Sequence, residues 1–205
     1  MLIPLSNCIP HCNKPIKGIL HVGAHECEEQ DAYTKIGIGI DKVIWIDAMS
    51  DKVEKYKHLG YNIFNLVISN TDDEDCNFNI TNNGQSSSIL ELDKHKVYYP
   101  HIIVTQTLKM KTSRLDTFIN NNGVNMNNYN FVNLDIQGVE LRALKGLGEY
   151  INNIDYVYTE VNRETLYENN DLITDIDDYL GKYGFSRVLT EFTKQNWGDA
   201  FYVKK

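Results

Sequence analysis

Apolar residues in the first third of the chain alternate between continuous runs and spaced positions. Three continuous runs have the length of buried strands: Gly18–Val22, Val43–Ile46 and Tyr61–Ile68. Glu26–Ile36 has acidic residues in its first turn, which favours a helix, and Ser50 is a suitable cap for a second helix over Asp51–Leu59. Strands that are apolar throughout and separated by helices predict a parallel sheet with both faces covered.

The same alternation continues after a less regular middle. Cys76–Ile80 and Ile102–Met110 have an extended pattern and flank the polar loop Asn82–Ser88, and a short helix is expected around Leu115–Ile119. The remaining predicted elements are strands at Phe131–Ile136 and Ile154–Val161, helices at Val139–Leu147 and Leu172–Tyr183, and a closing hairpin of Phe185–Thr193 and Ala200–Lys204. We therefore predict one doubly wound α/β domain over residues 1–205, with residues 1–17 as an N-terminal extension. Its sheet is expected to be mostly parallel and seven-stranded, with an antiparallel C-terminal hairpin.

Composition and charge narrow the classes of partner and location. The chain has 20 basic and 28 acidic residues, a net charge of −8, which argues against nucleic acid bound through its phosphates. No apolar run approaches the ~20 residues of a membrane helix, and the first residues lack the basic start and apolar stretch of a secretory signal. We therefore expect a soluble, cytoplasmic protein with neither a nucleic-acid nor a membrane partner.

The cysteines give little indication of a metal site. Cys8, His11 and Cys12 could supply half of one, but no second pair of ligands follows at the spacing of a zinc finger. Free thiols and no bound metal are therefore expected. We interpret the acidic run Asp72–Asp75 as a solvated loop.

Small or polar residues follow each predicted strand, which is where open parallel sheets bind ligands. They are Gly23-Ala24-His25, Asp47-Ala48, Ser69-Asn70, Asp135-Ile136-Gln137-Gly138 and Glu160. Gly23 allows the backbone to approach a ligand and precedes a helix N-terminus, and the carboxylate of Asp47 can accept hydrogen bonds from both hydroxyls of a ribose. This pair indicates a nucleoside cofactor; a simple turn glycine and a helix-capping aspartate are the structural alternatives.

The stretch after the first strand, GAHECE, contains one glycine and two glutamates. A nicotinamide dinucleotide is usually held by G-x-G-x-x-G around its diphosphate, and glutamates in this place would repel that group. A dehydrogenase is therefore disfavoured. A cofactor without phosphates fits better, and S-adenosylmethionine is such a cofactor.

The most specific motif of the chain is LDIQGVELRALKG, which spans Leu134–Gly146. Together with VGAH, SSSIL and SRLDTF it resembles the FkbM family of S-adenosylmethionine-dependent methyltransferases, over about Ile19–Gly146 and more loosely to Tyr202. The family typically has D-V-G-A-N-x-G around the place where this chain has VGAH. It typically has I-D-V-E-G-A-E-x-x-V-L-K-G where this chain has LDIQGVELRALKG. The chain departs from the family pattern at five positions: it has His21 where Asp is usual, His25 for Asn, Cys27 for Gly, Asp47 for Glu and Gln137 for Glu.

The resemblance implies a Rossmann-like class I methyltransferase fold and a role for each strand end. The cofactor-binding residues that it implies are Gly23, Ala24 and His25 at the methionine end, Asp47 and Ala48 at the ribose, and Val67, Ile68 and Ser69 at the adenine. Ser87 and Ser88 would lie in a loop over the sulfonium, and Asp135 and Gln137 would face the cofactor or the acceptor. Asp135 is the first candidate for the catalytic base, followed by Glu160 and His25.

The resemblance further implies methyl transfer to a hydroxyl of a sugar, a glycan or a small metabolite. Such a hydroxyl is a poor nucleophile, so a base should remove its proton. The alternative is a non-catalytic nucleoside- or glycan-binding module on the same fold, which would keep Asp47 without needing Asp135 and Glu160. Structural alternatives also exist for single features: His21 as a satisfied core histidine, Glu140 as a partner of the helix dipole or of local amides, and Ser86–Ser88 as a flexible turn.

Overall fold

The computed structural model describes residues 1–205. The strands are β1 (Ile19–Val22), β2 (Val43–Asp47), β3 (Ile63–Asn65), β4 (Val67–Ile68), β5 (Asp75–Thr81), β6 (Val104–Ser113), β7 (Phe131–Leu134), β8 (Tyr156–Asn162), β9 (Phe185–Phe192) and β10 (Trp197–Lys204). The α-helices are α1 (Leu5–Cys8), α2 (Gln30–Lys35), α3 (Ser50–His58), α4 (His95–Tyr98), α5 (Leu115–Asn121), α6 (Glu140–Gly146) and α7 (Ile173–Gly181). Short 3-10 helices lie at Ile9–His11, Ile40–Lys42, Met126–Asn128 and Gly148–Asn153.

Seven strands form the main sheet, in the order β3-β2-β1-β7-β8-β10-β9. Strands β1, β2, β3, β7 and β8 pair in parallel, whereas β10 runs antiparallel to both β8 and β9. The predicted doubly wound sheet with its C-terminal hairpin is thereby confirmed. Successive strands are added outward from β1 on one side and from β7 on the other, so the strand order reverses between these two. Open α/β sheets bind their ligands at such a reversal.

A second sheet has the strand order β4-β6-β5. Its strand β4 comes from a segment that the apolar pattern of the sequence predicts as part of one longer strand. The expected strand Tyr61–Ile68 is divided: β3 pairs with β2 and ends at Asn65, whereas β4 begins at Val67 and pairs in parallel with β6. The amide of Leu66, between them, donates to the carbonyl of Asp47 at 3.0 Å. Both residues of β4 are buried, whereas only Ile63 of β3 is. The apolar residues of the segment therefore do not show where it changes its partner strand.

The helix expected over Glu26–Ile36 begins later, at Gln30. The cause is local, because His25 and Cys27 have φ angles of 41° and 51°. This left-handed conformation does not occur within an α-helix of L-residues. Ser50, predicted as a cap, is instead the first residue of α3.

Both faces of the main sheet are covered by apolar residues. On one face Leu20 and Val22 of β1 belong to a cluster of 25 buried residues that includes side chains of α5, α6 and α7. On the other face Ile19 belongs to a cluster of 17 buried residues that includes Ile3 and Leu5 of the N-terminal extension. The extension therefore contributes to the hydrophobic core.

His21 lies within this second, buried layer. Its Nδ1 is 2.8 Å from the hydroxyl of Tyr33, and its ring stacks on Trp45 with 4.5 Å between centroids. Burial lowers the pKa of His21 to about 4, so the ring is neutral at physiological pH. The interpretation of His21 as a satisfied core histidine is confirmed.

The cysteines form no disulfide, and no group of three or more histidine, cysteine, aspartate or glutamate side chains is arranged to hold a metal ion. No helix combines the length and the apolar character that crossing a lipid bilayer requires.

Candidate active site

A cavity of about 480 Å³ lies at the carboxyl ends of β1, β2, β7 and β8. Its walls also include β4, the loop at residues 83–89, and side chains that follow α4 and β8. The volume is within the range of roughly 300–1,000 Å³ that small-molecule sites have. The cavity therefore has the place and the size expected of a cofactor site in this fold.

The turn after β1 brings two backbone segments together at the cavity wall. Gly23 has a φ of +92°, and a Cβ on it would lie 1.8 Å from the carbonyl oxygen of Asp135. A residue with a side chain would push the ends of β1 and β7 apart. The amide of His25, two residues later, donates to Asp47 Oδ2 at 2.7 Å. These contacts fix the ends of β1, β2 and β7 relative to one another.

Asp47 presents a carboxylate that retains acceptor capacity. Its Oδ2 accepts from the amide of His25 and its Oδ1 from the amide of Met49, each at 2.7 Å. Burial raises the pKa of Asp47, and these two amides oppose that shift. Each carboxylate oxygen has a second lone pair, so the group could still accept both hydroxyls of a ribose.

Apolar side chains continue the cavity wall beyond Asp47. Ala48, Val67 and Ile68 line this part, together with Leu66 and Ile136. A flat base such as adenine would find apolar contact here while its ribose reaches the carboxylate. This end of the cavity could therefore hold a nucleoside.

Two of the residues predicted for the cofactor lie outside the cavity lining. Ala24 is fully buried in the apolar cluster that contains Ile19. Ser69 is also buried, and its Oγ donates to Asn70 Oδ1 at 3.2 Å. The other predicted site residues all line the cavity: Gly23, His25, Asp47, Ala48, Val67, Ile68, Ser87, Ser88, Asp135, Gln137 and Glu160.

The loop Asn82–Ser88 forms a hydrogen-bonded wall of the cavity. Ser87 Oγ donates to the carbonyl of Gly84 at 2.6 Å, and Ser88 Oγ donates to the carbonyl of Gln137 at 2.8 Å. The loop is thereby joined to the turn that follows β7. The serines are therefore held by hydrogen bonds, whereas the structural alternative was a flexible turn.

Gln137 joins the two carboxylates predicted as bases. Its Nε2 donates to Asp135 Oδ1 and to Glu160 Oε2, each at 2.7 Å. Its Oε1 accepts from the hydroxyl of Tyr167 at 2.6 Å. Its backbone has a φ of 55°, which aims the side chain across the strand ends. The structure thus brings together Asp135 and Glu160, which are distant in sequence.

Both carboxyl groups have a raised affinity for protons. Asp135 is exposed to the cavity but otherwise enclosed by protein; this enclosure, and then Asp199, raise its pKa, while Gln137 lowers it. Glu160 is 6% exposed, and burial followed by the nearby Asp135 raises its pKa well above the usual range. A carboxylate with a raised pKa is a better proton acceptor near neutral pH.

His25 and Glu140, in contrast, are each held by a neighbouring group. His25 Nδ1 is 2.7 Å from Glu28 Oε1, and this contact raises the pKa of the imidazole. Glu140 is buried and accepts from the amides of Ile136, at 3.0 Å, and Gly138, at 3.1 Å. The interpretation of Glu140 as a partner of local amides is confirmed. It stabilises the turn that carries Gln137.

The sequence matches the family model described as "Methyltransferase FkbM domain" over residues 21–187. The chain is a member of the FkbM methyltransferase family. Its cofactor is S-adenosylmethionine, and the identification made from the motifs is confirmed. No curated protein sequence matches the chain.

Three solved methyltransferases are similar to this FkbM methyltransferase at low sequence identity. Magnesium protoporphyrin IX methyltransferase from Synechocystis PCC 6803, with bound SAM, is 11% identical, with a TM-score of 0.48 over 98% of this chain and 76% of that one. TrmK from M. capricolum, in complex with S-adenosyl-homocysteine, is 8% identical, with a TM-score of 0.48 over 100% and 70%. A SAM-dependent methyltransferase from Aquifex aeolicus is 14% identical, with a TM-score of 0.49 over 100% and 90%. The family assignment rests on the sequence match and not on these remote similarities.

The departures of this FkbM methyltransferase from the family pattern leave room for the cofactor. Cys27 adopts a φ of 51°, as a glycine would, but its side chain is buried in the core and does not line the cavity. Asp47, although shorter than glutamate, still lines the cavity with both oxygens held by amides. Gln137 replaces a carboxylate with an amide that donates to two others. The cavity of this chain fits S-adenosylmethionine.

Several residues of the cavity lie outside the sequence prediction. They are aromatic or acidic side chains to which the sequence assigns no role in the site: His95, Tyr99, Tyr167, Trp197 and Asp199. One signal was present, because Trp197 and Asp199 alternate along β10 and therefore share a face of the sheet. Asp199 lies directly opposite Glu160 in the antiparallel pair. Only the sheet register reveals that neighbourhood.

Proposed function

We propose that this chain transfers a methyl group from S-adenosylmethionine to a hydroxyl oxygen of a sugar, a glycan or a small metabolite. The observation that carries the proposal is the pair of carboxyls, Asp135 and Glu160, that share the amide of Gln137 in the cavity. A group transfer to oxygen needs such a proton acceptor. A module that only binds ligands would have no use for two carboxyls with raised pKa values at the cavity.

The residues along the cavity divide into those that would hold the cofactor and those that would face the acceptor. Asp47 would bind the ribose, Val67 and Ile68 would contact the adenine, and the backbone at Gly23 would lie against the methionine end. The loop with Ser87 and Ser88 would close the side of the cavity. When bound, S-adenosylmethionine supplies an electrophilic methyl group on a sulfonium.

Asp135 is the base in this proposal. Its Oδ1 is occupied by Gln137, and Oδ2 has no hydrogen-bond partner in the protein, so Oδ2 is free to accept a proton. The acceptor hydroxyl loses that proton as its oxygen forms the new bond to carbon. Glu160, through the shared amide, would adjust the proton affinity of Asp135, and His25 is the weaker candidate because Glu28 holds its ring.

The proposal is tested by incubating the chain with S-adenosylmethionine labelled in its methyl group and a panel of free sugars, glycosides, nucleotide sugars and small phenols. Mass spectrometry should show the gain of one labelled methyl group on an oxygen, together with S-adenosylhomocysteine. A labelled nitrogen, or no labelled product with the cofactor bound, would contradict it.

A further inference from the structure

One end of the cavity is aromatic and acidic, and it is opposite in character to the apolar slot for the nucleoside. We call it the acceptor end and define it by His95, Tyr99, Tyr167, Trp197 and Asp199. The indole Nε1 of Trp197 donates to the hydroxyl of Tyr99 at 2.8 Å, and Tyr167 donates to Gln137. The aromatic side chains are thus fixed beside the two carboxyls.

Acidic side chains are the main charged groups of the cavity. No lysine or arginine lines it, and the N-terminal ammonium of Met1, which does, lies 3.8 Å from Glu29 Oε1. Six carboxyl side chains line it: Glu28, Glu29, Asp47, Asp135, Glu160 and Asp199. The two histidines of the lining are His25, already paired with Glu28, and His95. A phosphate or carboxylate placed here would face an excess of like charges in a partly desolvated space, where the ammonium of Met1 already lies beside Glu29.

His95 gives an independent indication that the acceptor end binds a ligand. Its side chain is only 5% exposed, and its buried Nδ1 has no hydrogen-bond partner. The ring lies between Tyr99 and Tyr167, with 5.0 and 5.5 Å between centroids. Burial, followed by the nearby His101, lowers its pKa, so the imidazole is neutral. A neutral imidazole exchanges hydrogen bonds with hydroxyl or amino groups but cannot compensate an anion.

We propose that the acceptor is a sugar that carries no phosphate or carboxylate group, either neutral or amino-substituted, and that it binds at the acceptor end. Its ring would pack against Tyr99, Tyr167 and Trp197, and its polar groups would bond to His95 and to the carboxyls. Nucleotide sugars, sugar phosphates and uronic acids are excluded as acceptors. This inference rests on the proposed function, because it assumes that the cavity holds the acceptor as well as the cofactor.

The test uses matched sugars and a binding signal that does not depend on turnover. Trp197 lines the cavity and Trp45 is fully buried in the core, so ligand-dependent fluorescence should come from Trp197. With S-adenosylhomocysteine present, each hexose of a series is titrated as its methyl glycoside, its amino sugar, its phosphate, its uronic acid and its UDP derivative. Trp197→Phe, which should lose the signal, is the control. Labelled methyl transfer is measured in parallel.

We expect the neutral and amino forms to bind at least about tenfold more tightly than their anionic counterparts, as like-charge contacts cost several kcal/mol. An anionic form that binds equally well or better, or a series in which no member binds, would overturn the inference. Binding of neutral sugars without methyl transfer would instead contradict the proposed function, while the selection against anionic sugars at the acceptor end would still hold.

Two charge variants test whether the acidic side chains of the cavity cause the preference for non-anionic sugars. Asp199→Asn removes one charge from the acceptor end, and Glu29→Gln removes another from the cavity without touching the proposed base. Both should narrow the preference for non-anionic sugars by a factor of about three or more. Asp178→Asn, the same change on an exposed face of α7, should leave it unchanged. An unchanged preference in both cavity variants, with melting temperatures like that of the wild type, would contradict the electrostatic argument. If Asp199→Asn fails to fold, Glu29→Gln alone decides.

Discussion

At the scale of single residues, the side-chain amide of Gln137 holds the carboxyls of Asp135 and Glu160 next to each other. A glutamate there, as is usual in the family, would place a third carboxyl within hydrogen-bond distance of Asp135 and Glu160. Such a trio would have to bind protons to coexist. The amide instead donates to both carboxyls and accepts from Tyr167, so every polar atom of its side chain has a partner. The departure from the family motif therefore gives a defined geometry.

Asp135→Asn tests the proposed base directly. The amide can still accept from Gln137, so we expect a melting temperature close to that of the wild type. An amide takes no proton at neutral pH, so turnover should fall by ~100-fold or more. Steady-state kinetics and thermal melts measure the two effects, with Asp178→Asn as the control for loss of charge. Turnover within a few-fold of the wild type would transfer the role to Glu160 or His25.

Asp47→Asn should affect both cofactor binding and stability. The amide keeps one acceptor oxygen, so one of the amides of His25 and Met49 loses its partner, and a ribose hydroxyl loses one too. We expect cofactor binding to weaken by about 2–3 kcal/mol and unfolding free energy to fall by about 1–3 kcal/mol. Calorimetric titration and urea unfolding check these values. Asp51→Asn, an exposed aspartate on α3, should change neither; wild-type affinity in Asp47→Asn would restrict Asp47 to a structural role.

At the scale of elements, the strand ends are predicted more accurately than the turns between them. The apolar runs locate β1, β2, β7 and β8, and with them Gly23, Asp47, Asp135 and Glu160. Gly23 indicates a turn after β1, but the left-handed conformation of His25 and Cys27 is not predicted, because neither residue is a glycine. The division between β3 and β4 is also missed, because it depends on pairing with β6, which is distant in sequence. The periodicity of apolar residues indicates which positions are buried, but it does not indicate which strand each strand pairs with.

Gly23→Ala tests the close approach of β1 and β7. The new methyl group would meet the carbonyl oxygen of Asp135 at a distance that no contact allows, 1.8 Å, so backbone must move. We expect unfolding free energy to fall by about 3 kcal/mol or more and cofactor binding to be lost. Gly37→Ala is the matched control, since Gly37 has a φ of +83° but no atom within 4 Å of the new Cβ. It should cost only the conformational strain, about 1–2 kcal/mol. Equal losses in the two variants would show that the contact is relieved easily.

At the scale of the whole molecule, the cofactor half of the cavity and the acceptor end differ in how far sequence predicts them. The cofactor half is built from consecutive strand ends, each with its own local motif. The acceptor end is assembled from α4, from the segment after β8 and from β10, through contacts such as that of Trp197 with Tyr99. Side chains brought together by long-range pairing leave no local pattern. The aromatic and acidic character of the acceptor end is therefore visible only once the fold is known.

The buried carboxyls also make the stability of the molecule depend on pH, and Glu160 is the sharpest case. Its pKa is raised above the ordinary value of 4.5, first by burial and then by Asp135. Below that ordinary value the group is protonated in both the folded and the unfolded chain, and it carries no penalty. As pH rises, the unfolded chain releases the proton first, so this group lowers the free energy of unfolding until its folded-state pKa is passed.

Glu160→Gln removes this titration while its side-chain oxygen can still accept from Gln137. We therefore expect its free energy of unfolding to exceed that of the wild type by a margin that grows as the pH rises above about 4.5, by about 1.4 kcal/mol for each unit of difference between the two pKa values. Urea unfolding across that range measures the margin. Glu54→Gln, on the exposed side of α3, should follow the wild-type curve. Parallel curves for the wild type and Glu160→Gln would mean that Glu160 ionises normally in the folded protein.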